Sequence, residues 1–391
     1  MTKVSFFGEG ELVSVLTTQP LDRFLDYKAP AGGCHDGNFV EVPLGPRKVL
    51  GVVWGRGDGG YDPAKIRSVL RVLDVAPMGP EMRQFLARAA DYTLTPMTSM
   101  LRLATRAPGL GNPPSMQKIY RFGQGEPDRM TNARRRVLEV LDSFGGLGLT
   151  LRELSELAGT SSSVVKGLVK QGVVREHDNP RDRPYPRLDP KLSGVTLNDD
   201  QASAAKILRK GVAGGRYATT LLKGVTGSGK TEVYLEAIAE CLNQGRQALV
   251  LLPEIALTSA FLNRVEARFG ARPAEWHSGV TMTERRRCWH MAGQGAAGLV
   301  VGARSALFLP FQDLGLIVVD EEHDNSYKQE DGALYNARDM AVLRASFASA
   351  QVILASATPS LESWVNAKDG KYQRLDLGTR FGPAEMPEMR A

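Results

Sequence analysis

Residues 224–231, Gly-Val-Thr-Gly-Ser-Gly-Lys-Thr, match the pattern GxxxxGK[ST] in full. Glycines at these positions let backbone N–H groups turn inward on phosphate oxygens, and the helix that follows aims its positive end at them. Gly224, Thr226, Gly227, Ser228 and Gly229 form the cradle, Lys230 reaches β- and γ-phosphates, and Thr231 offers a hydroxyl to Mg2+. Ninety residues beyond Lys230, the run LGLIVVDEEH ends a buried strand pattern on Asp320 and Glu321. Ligands collect at the carboxyl ends of strands in open parallel sheets. Asp320 there is expected to hold Mg2+ through water, and Glu321 to orient and deprotonate an attacking water. Ser356-Ala357-Thr358 closes the next apolar strand; small hydroxyl side chains at that place suit a hinge between a nucleotide site and a bound strand.

Such groups need a sheet to hold them. Beyond Leu197 five apolar strand signals, at 217–225, 247–253, 297–303, 314–320 and 350–358, alternate with helical stretches. That texture predicts a parallel sheet with crossover helices. The first hundred residues read differently: β-branched runs at 13–18, 38–44 and 49–55 are punctuated by Gly and Pro, so a β-rich domain is expected there. A helix is expected over 80–103, from Met82, Phe85, Leu86 and Ala89 at helical spacing. Residues 109–127 read as a turn-rich linker. Next come helical patterns over 133–144 and on either side of Ala158-Gly159-Thr160, then the strand GVVRE: the order of a winged-helix unit. Thr150 and Glu153 have capping-box spacing. Lys166 and Lys170 are the only basic residues on the would-be recognition helix. Four prolines over 179–190 make a stiff linker.

The expected fold class is therefore multidomain α/β. Its parts are a β-rich domain over 1–108, a winged-helix domain over 109–180, a Pro-rich linker over 181–196 and a RecA-like lobe over 197–391. With 391 residues the chain exceeds the range of a single core. The 49 Lys+Arg against 43 Asp+Glu leave a charge of +6, compatible with a polyanionic partner. Cys34, Cys241 and Cys288 form no CxxC pair, which leaves no zinc ribbon or disulfide framework to read. The opening MTKVSFFGEGELVSVL lacks a signal-peptide pattern, and no apolar run approaches the roughly 20 residues that span a bilayer. A cytoplasmic protein with no membrane partner, acting as a monomer, is expected.

Asp-Glu-x-His marks helicase-type ATPases rather than kinases or GTPases. The order GVTGSGKT, LLPEIALT, HSG, GARSALF, DEEHD, SYKQ and SATPS resembles the first catalytic lobe of the PriA family, superfamily-two helicases of replication restart. LTTQPLDRFLDYKAP, VEVPLGPRKVLGVVWG and IRSVLRVLD resemble that family's amino-terminal domain for DNA 3′ ends, and a winged helix follows there too. The resemblance implies an ATP- and Mg2+-dependent 3′→5′ DNA helicase. Such an enzyme recognises stalled forks through the nascent 3′ end and starts primosome reassembly with single-strand-binding and loader proteins. It implies that Asp26 accepts a hydrogen bond from the terminal 3′-hydroxyl, that the Gly45 backbone approaches the last nucleotide, and that Arg67 is a basic contact. By the same resemblance Gln201 reads adenine, Pro253, Glu254 and Arg304 lie near the DNA backbone, and His323 couples hydrolysis to DNA.

Departures from the family pattern also carry expectations. Ala303 stands where the family commonly has Thr, removing one hydroxyl contact to a phosphate. Ala333 stands where some members carry a Trp, so base stacking is expected to be weaker or elsewhere, with Tyr327 and Lys328 keeping part of it. The family's two zinc sites use eight cysteines inserted in a second lobe; none of those ligands is expected here. The chain ends soon after SATPS, so a fragment is expected that binds DNA but lacks fast hydrolysis and unwinding alone. The alternative reading is a non-enzymatic fork-binding scaffold that recruits replisome-loading proteins, against which the full Lys230, Asp320 and Glu321 set argues. A restriction- or repair-type translocase is a third, disfavoured by the LDYKAP and VEVPLG patterns.

Overall fold

The computed structural model describes residues 5–378 except 61, 63, 108, 111, 113–115, 145–147, 181 and 257; the closing MPEMRA segment lies outside them. Residues 1–112 with 184–391 form one compact unit, and residues 113–183 a second.

The larger unit is organised by a seven-stranded parallel sheet. From one edge its order is Ala274–Trp276, Leu299–Gly302, Gln247–Leu251, Leu314–Asp320, Gln351–Ser356, Ala218–Gly224 and Gln373–Leu377. All five expected strands are present. Four of them are buried at every residue, as helices on both faces require. The two strands that the pattern missed are the edges. Ala274–Trp276 has three residues and Gln373–Leu377 carries Arg374 and Asp376, so neither shows an apolar run. The Asp320 strand lies at the centre, one strand removed from the strand that feeds the phosphate loop. Both deliver their carboxyl ends to the same side because all the pairings are parallel.

The amino-terminal part is a five-stranded antiparallel sheet ordered Leu25–Lys28, Leu12–Thr17, Arg47–Arg56, Phe39–Leu44 and Arg71–Val72. Lys28 N donates to Arg67 O at 2.9 Å and Val69 N to Lys28 O at 2.9 Å, which ties the first edge to the segment leading into the last. The helix expected over 80–103 is two, Pro80–Thr93 and Met97–Ala104. Leu94 at φ 51° ends the first, and Pro96, which cannot continue a helix, caps the second. These helices pack against the parallel-sheet part of the unit. Phe39 meets Trp289 edge-on with centroids 5.5 Å apart, Phe85 lies 5.6 Å from Phe308, and the Trp289 indole N–H donates to Ala104 O at 2.8 Å. One continuous core holds Leu16, Phe39, Met82 and Phe85 together with Trp289, Leu307 and Phe308.

From Pro184 onward the Pro-rich segment lies along the parallel-sheet part of the larger unit. The Tyr185 hydroxyl donates to Glu284 Oε1 at 2.6 Å beneath the Arg287 guanidinium, 4.0 Å from the ring. Arg268 Nη1 donates to Leu192 O at 2.6 Å.

The smaller unit holds helices Asn132–Ser143, Leu151–Leu157 and Ser162–Lys170 against an antiparallel sheet ordered Val174–Pro180, Met116–Phe122 and Leu149–Thr150. Thr150 and Glu153 form the reciprocal capping box. The sequence assigns 116–122 to a linker, but it is the central strand of this sheet: only Ile119 and Tyr120 are buried, too few to show alternation. Pro180 is accommodated because its strand is an edge.

Candidate functional site

Gly227 and Gly229 both sit at φ 81°, a left-handed conformation that costs other residues and turns the loop's N–H groups inward. Gly229 then caps the helix Lys230–Asn243. A side chain at Gly229 would meet Gln201 Nε2 at 2.4 Å. Gln201 is 1% exposed, and both ends of its amide are engaged: Oε1 accepts from Asn198 N at 3.0 Å, and Nε2 donates to Ser228 O at 2.9 Å. In this structure it braces the phosphate loop. Lys230 Nζ donates to Gly224 O at 2.9 Å, folded back on its own loop. Ser228 Oγ is fully buried and, among the described residues, has no hydrogen-bond partner.

Asp320 is 9% exposed, and both of its oxygens are held. Oδ1 accepts from Glu321 N at 3.0 Å and Oδ2 from the Tyr234 hydroxyl at 2.9 Å. Burial raises its pKa, and adjacent Glu321 adds to that, while the Tyr234 hydrogen bond and the Lys230 charge pull it down. Glu321 adopts φ 49°, rare for a residue with a side chain and the kind of strain that collects at functional sites. Its Oε2 lies 3.6 Å from His323 Nδ1, which is 2.8 Å from Ser356 Oγ; Thr358 N donates to the same hydroxyl at 3.0 Å. His323 thus joins the acidic strand end to the Ser-Ala-Thr segment.

The residue between them escaped the sequence reading. Glu322 is 1% exposed and accepts from Ser360 N at 2.6 Å, Ser360 Oγ at 2.9 Å and Ser363 Oγ at 2.9 Å, with Arg338 Nη1 3.5 Å away. It fixes the start of the helix Leu361–Lys368. Three seryl donors in SATPSLES facing an acidic triplet were the available signal.

The chemistry of this donor set fits a magnesium nucleoside triphosphate: an inward amide loop, an ammonium, a buried hydroxyl with no partner among the described residues, and a carboxylate at the end of the strand two positions away. Gly224, Thr226, Gly227, Ser228, Gly229 and Lys230 would hold phosphates, and Thr231 with Asp320 would hold the metal. When bound, that group supplies a γ-phosphoryl whose transfer to water releases energy and a cation that offsets its charge.

Beside this site Glu254 and Arg304 line a cavity of about 320 Å3 with Asp324 and Ser326. Arg304 Nη1 donates to Ser326 O at 2.9 Å and to Lys328 O at 2.6 Å. Pro253 is buried and Lys328 exposed. Tyr327 corrects an expectation. It cannot stack on a base, because its ring is 1% exposed and its hydroxyl donates to Leu251 O at 2.9 Å and Asp320 O at 2.6 Å. It straps two central strands together instead. Ala303 and Ala333 are buried, and Leu334, 55% exposed, is the open apolar side chain of that loop.

Asp26, Gly45 and Arg67, drawn from three segments, line one cavity of about 260 Å3. Arg67 Nη1 donates to Gly45 O at 3.1 Å, and Gly45 sits at φ 58° with open space where a side chain would start. Asp26 Oδ2 accepts from Gly59 N at 2.9 Å; burial, and to a lesser degree Asp58, raise its pKa. Cys34, Cys241 and Cys288 are each buried, and among the described residues no group of three or more His, Cys, Asp or Glu gathers to hold a metal. Nor, among them, is any helix long and apolar enough to cross a membrane.

The two sites define a class. Residues 198–366 match the DEAD/DEAH box helicase family, and residues 14–106 match the 3′DNA-binding domain. The chain resembles replication restart protein PriA along nearly its whole length. It is 31% identical to that of Bacillus subtilis (strain 168) over 97% of this chain and 57% of the relative. It is 35% identical to that of Haemophilus influenzae over 95% of this chain and 52% of the relative. The chain thus spans little more than half the length of these relatives. Likeness to a chain in the structure of RecG bound to three-way DNA junction is slight, with a TM-score of 0.37 at 20% identity over 53% of this chain and 28% of that one, and carries no argument.

Proposed function

We propose that this chain is the DNA-end-reading and nucleotide-binding portion of an ATP-dependent 3′→5′ DNA helicase of replication restart. One observation carries the reading: Asp26, Gly45 and Arg67 converge on one cavity in the same compact unit that holds Lys230, Asp320 and Glu321. The cavity takes a terminal nucleotide. The Asp26 carboxylate accepts from its 3′-hydroxyl, the bare Gly45 backbone lets it approach, and Arg67 meets the phosphate. In the motor lobe Lys230 leaves the Gly224 carbonyl for the phosphates, and Glu321 takes the proton of the attacking water. His323 and Ser356 relay the state of that site toward the Arg304 and Glu254 cavity, where the DNA backbone runs. Stalled forks with a nascent 3′ end are the substrate, with single-strand-binding and primosome-loading proteins as partners in a cytoplasmic setting. Titration with a fluorescent ATP analogue and Mg2+ tests the motor half. The unaltered chain should bind saturably and Lys230→Ala should lose at least about tenfold, the worth of one charge-assisted contact. Equal binding by the two would remove the nucleotide site.

A further inference from the structure

Tyr234 lies one turn beyond Lys230 on the same helix, with no exposed surface. A phenol hydroxyl buried this deeply is costly unless bonded, whereas phenylalanine would fill nearly the same volume without that demand. The hydroxyl is bonded at a telling place. It donates to Asp320 Oδ2 at 2.9 Å. Thr231 stands on the helix and Asp320 at the end of a strand, so the two groups assigned to Mg2+ come from different elements, and Tyr234, on the helix of Thr231, bonds to Asp320. Asp320's other oxygen accepts from Glu321 N at 3.0 Å. The carboxylate therefore cannot rotate without breaking the Tyr234 bond.

We propose that Tyr234 is a positioning residue for the metal: its hydroxyl holds the Asp320 carboxylate in the orientation that binds Mg2+. This rests on the nucleotide reading of the site and adds to it a residue that touches neither nucleotide nor metal. Groups that orient metal ligands from behind are worth about 10–100-fold in metal affinity. The hydroxyl's loss should fall on the metal-dependent part of nucleotide binding and spare the part that the glycine loop and Lys230 supply alone.

The test titrates a fluorescent ATP analogue against the unaltered chain, Tyr234→Phe and Tyr327→Phe, in Mg2+ and in EDTA, with melting temperatures recorded alongside. Tyr327→Phe is the control, because it also removes a buried hydroxyl bonded to Asp320, but on the backbone carbonyl. For Tyr234→Phe the Mg2+ concentration at half-maximal binding should rise about tenfold while affinity in EDTA stays within about twofold. Tyr327→Phe should melt lower with its Mg2+ requirement unchanged. Should Tyr234→Phe fail to fold by circular dichroism, p-aminophenylalanine at 234 keeps a donor on the same ring and should restore the wild-type Mg2+ requirement to within about twofold. An unchanged Mg2+ requirement in Tyr234→Phe, a parallel loss in Mg2+ and EDTA, or no restoration by the amino analogue would overturn the proposal. An unaltered chain that binds no nucleotide would overturn the proposed function along with it.

Discussion

Asp320 is a carboxylate kept where water would not keep it. Burial raises its pKa above the usual 3.8, so the folded protein bears a penalty for holding it ionised. The penalty is complete above the folded pKa and disappears as pH falls toward the unfolded value. An asparagine at 320 preserves the shape, can accept from Glu321 N through its oxygen and can donate to the Tyr234 hydroxyl. Asp320→Asn is therefore expected to raise the melting temperature near pH 8, with the advantage shrinking as pH is lowered toward 4, while Mg2+-dependent nucleotide binding is lost. Calorimetry across that pH range checks it; a variant less stable at pH 8 would contradict it. Glu321 at φ 49° tells the same story in the backbone, a local conformation worse than the alternatives and retained beside a functional group.

Between residue and molecule, the working parts are strand ends tied to one another by buried polar side chains. Tyr327 joins the Gln247–Leu251 strand to the Asp320 strand, and Glu322 joins the latter to the helix Leu361–Lys368. Tyr327→Phe leaves two buried carbonyls without their hydroxyl and should cost about 1–3 kcal/mol in denaturant unfolding; no loss would mean that the strap is idle. This level was the hardest to read from sequence. The glycine loop, the five inner strands and the acid pair were legible because each has a local signature: glycine and lysine spacing, β-branched runs, an apolar run ending on Asp320. Tyr327 beside Lys328 looks the same in sequence whether it faces a base or a core, and only the strand pairing that buries it decides. The edge strand Gln373–Leu377 and the central strand Met116–Phe122 were missed for a related reason, since a strand with few buried side chains leaves little periodicity. Gln201 was placed at the nucleotide site from resemblance, but its hold on Ser228 needed coordinates.

At the scale of the molecule, the Asp26 pocket and the parallel sheet belong to one compact unit, and the amino-terminal part joins the parallel-sheet part through a core that includes Leu16, Phe39 and Phe85. No local signature could announce this, because Phe39 and Phe85 meet Trp289 and Phe308 from more than half the chain away. Phe85→Ala opens a cavity at that seam and should cost about 3–5 kcal/mol. The loss should appear in the transition that melts the motor sheet, not in a separate amino-terminal one; calorimetry with nucleotide present as a reporter separates the cases. On the proposed reading, that seam gives a DNA end held at Asp26 a fixed place relative to the parallel sheet. The most direct test is fluorescence anisotropy with single-stranded oligonucleotides identical except at the last sugar. The 3′-hydroxyl strand should bind at least about tenfold tighter than the 3′-phosphate strand, the worth of one hydrogen bond to a carboxylate and the avoided repulsion. Asp26→Asn should erase most of that difference. Equal affinity of the unaltered chain for the two strands would contradict the account.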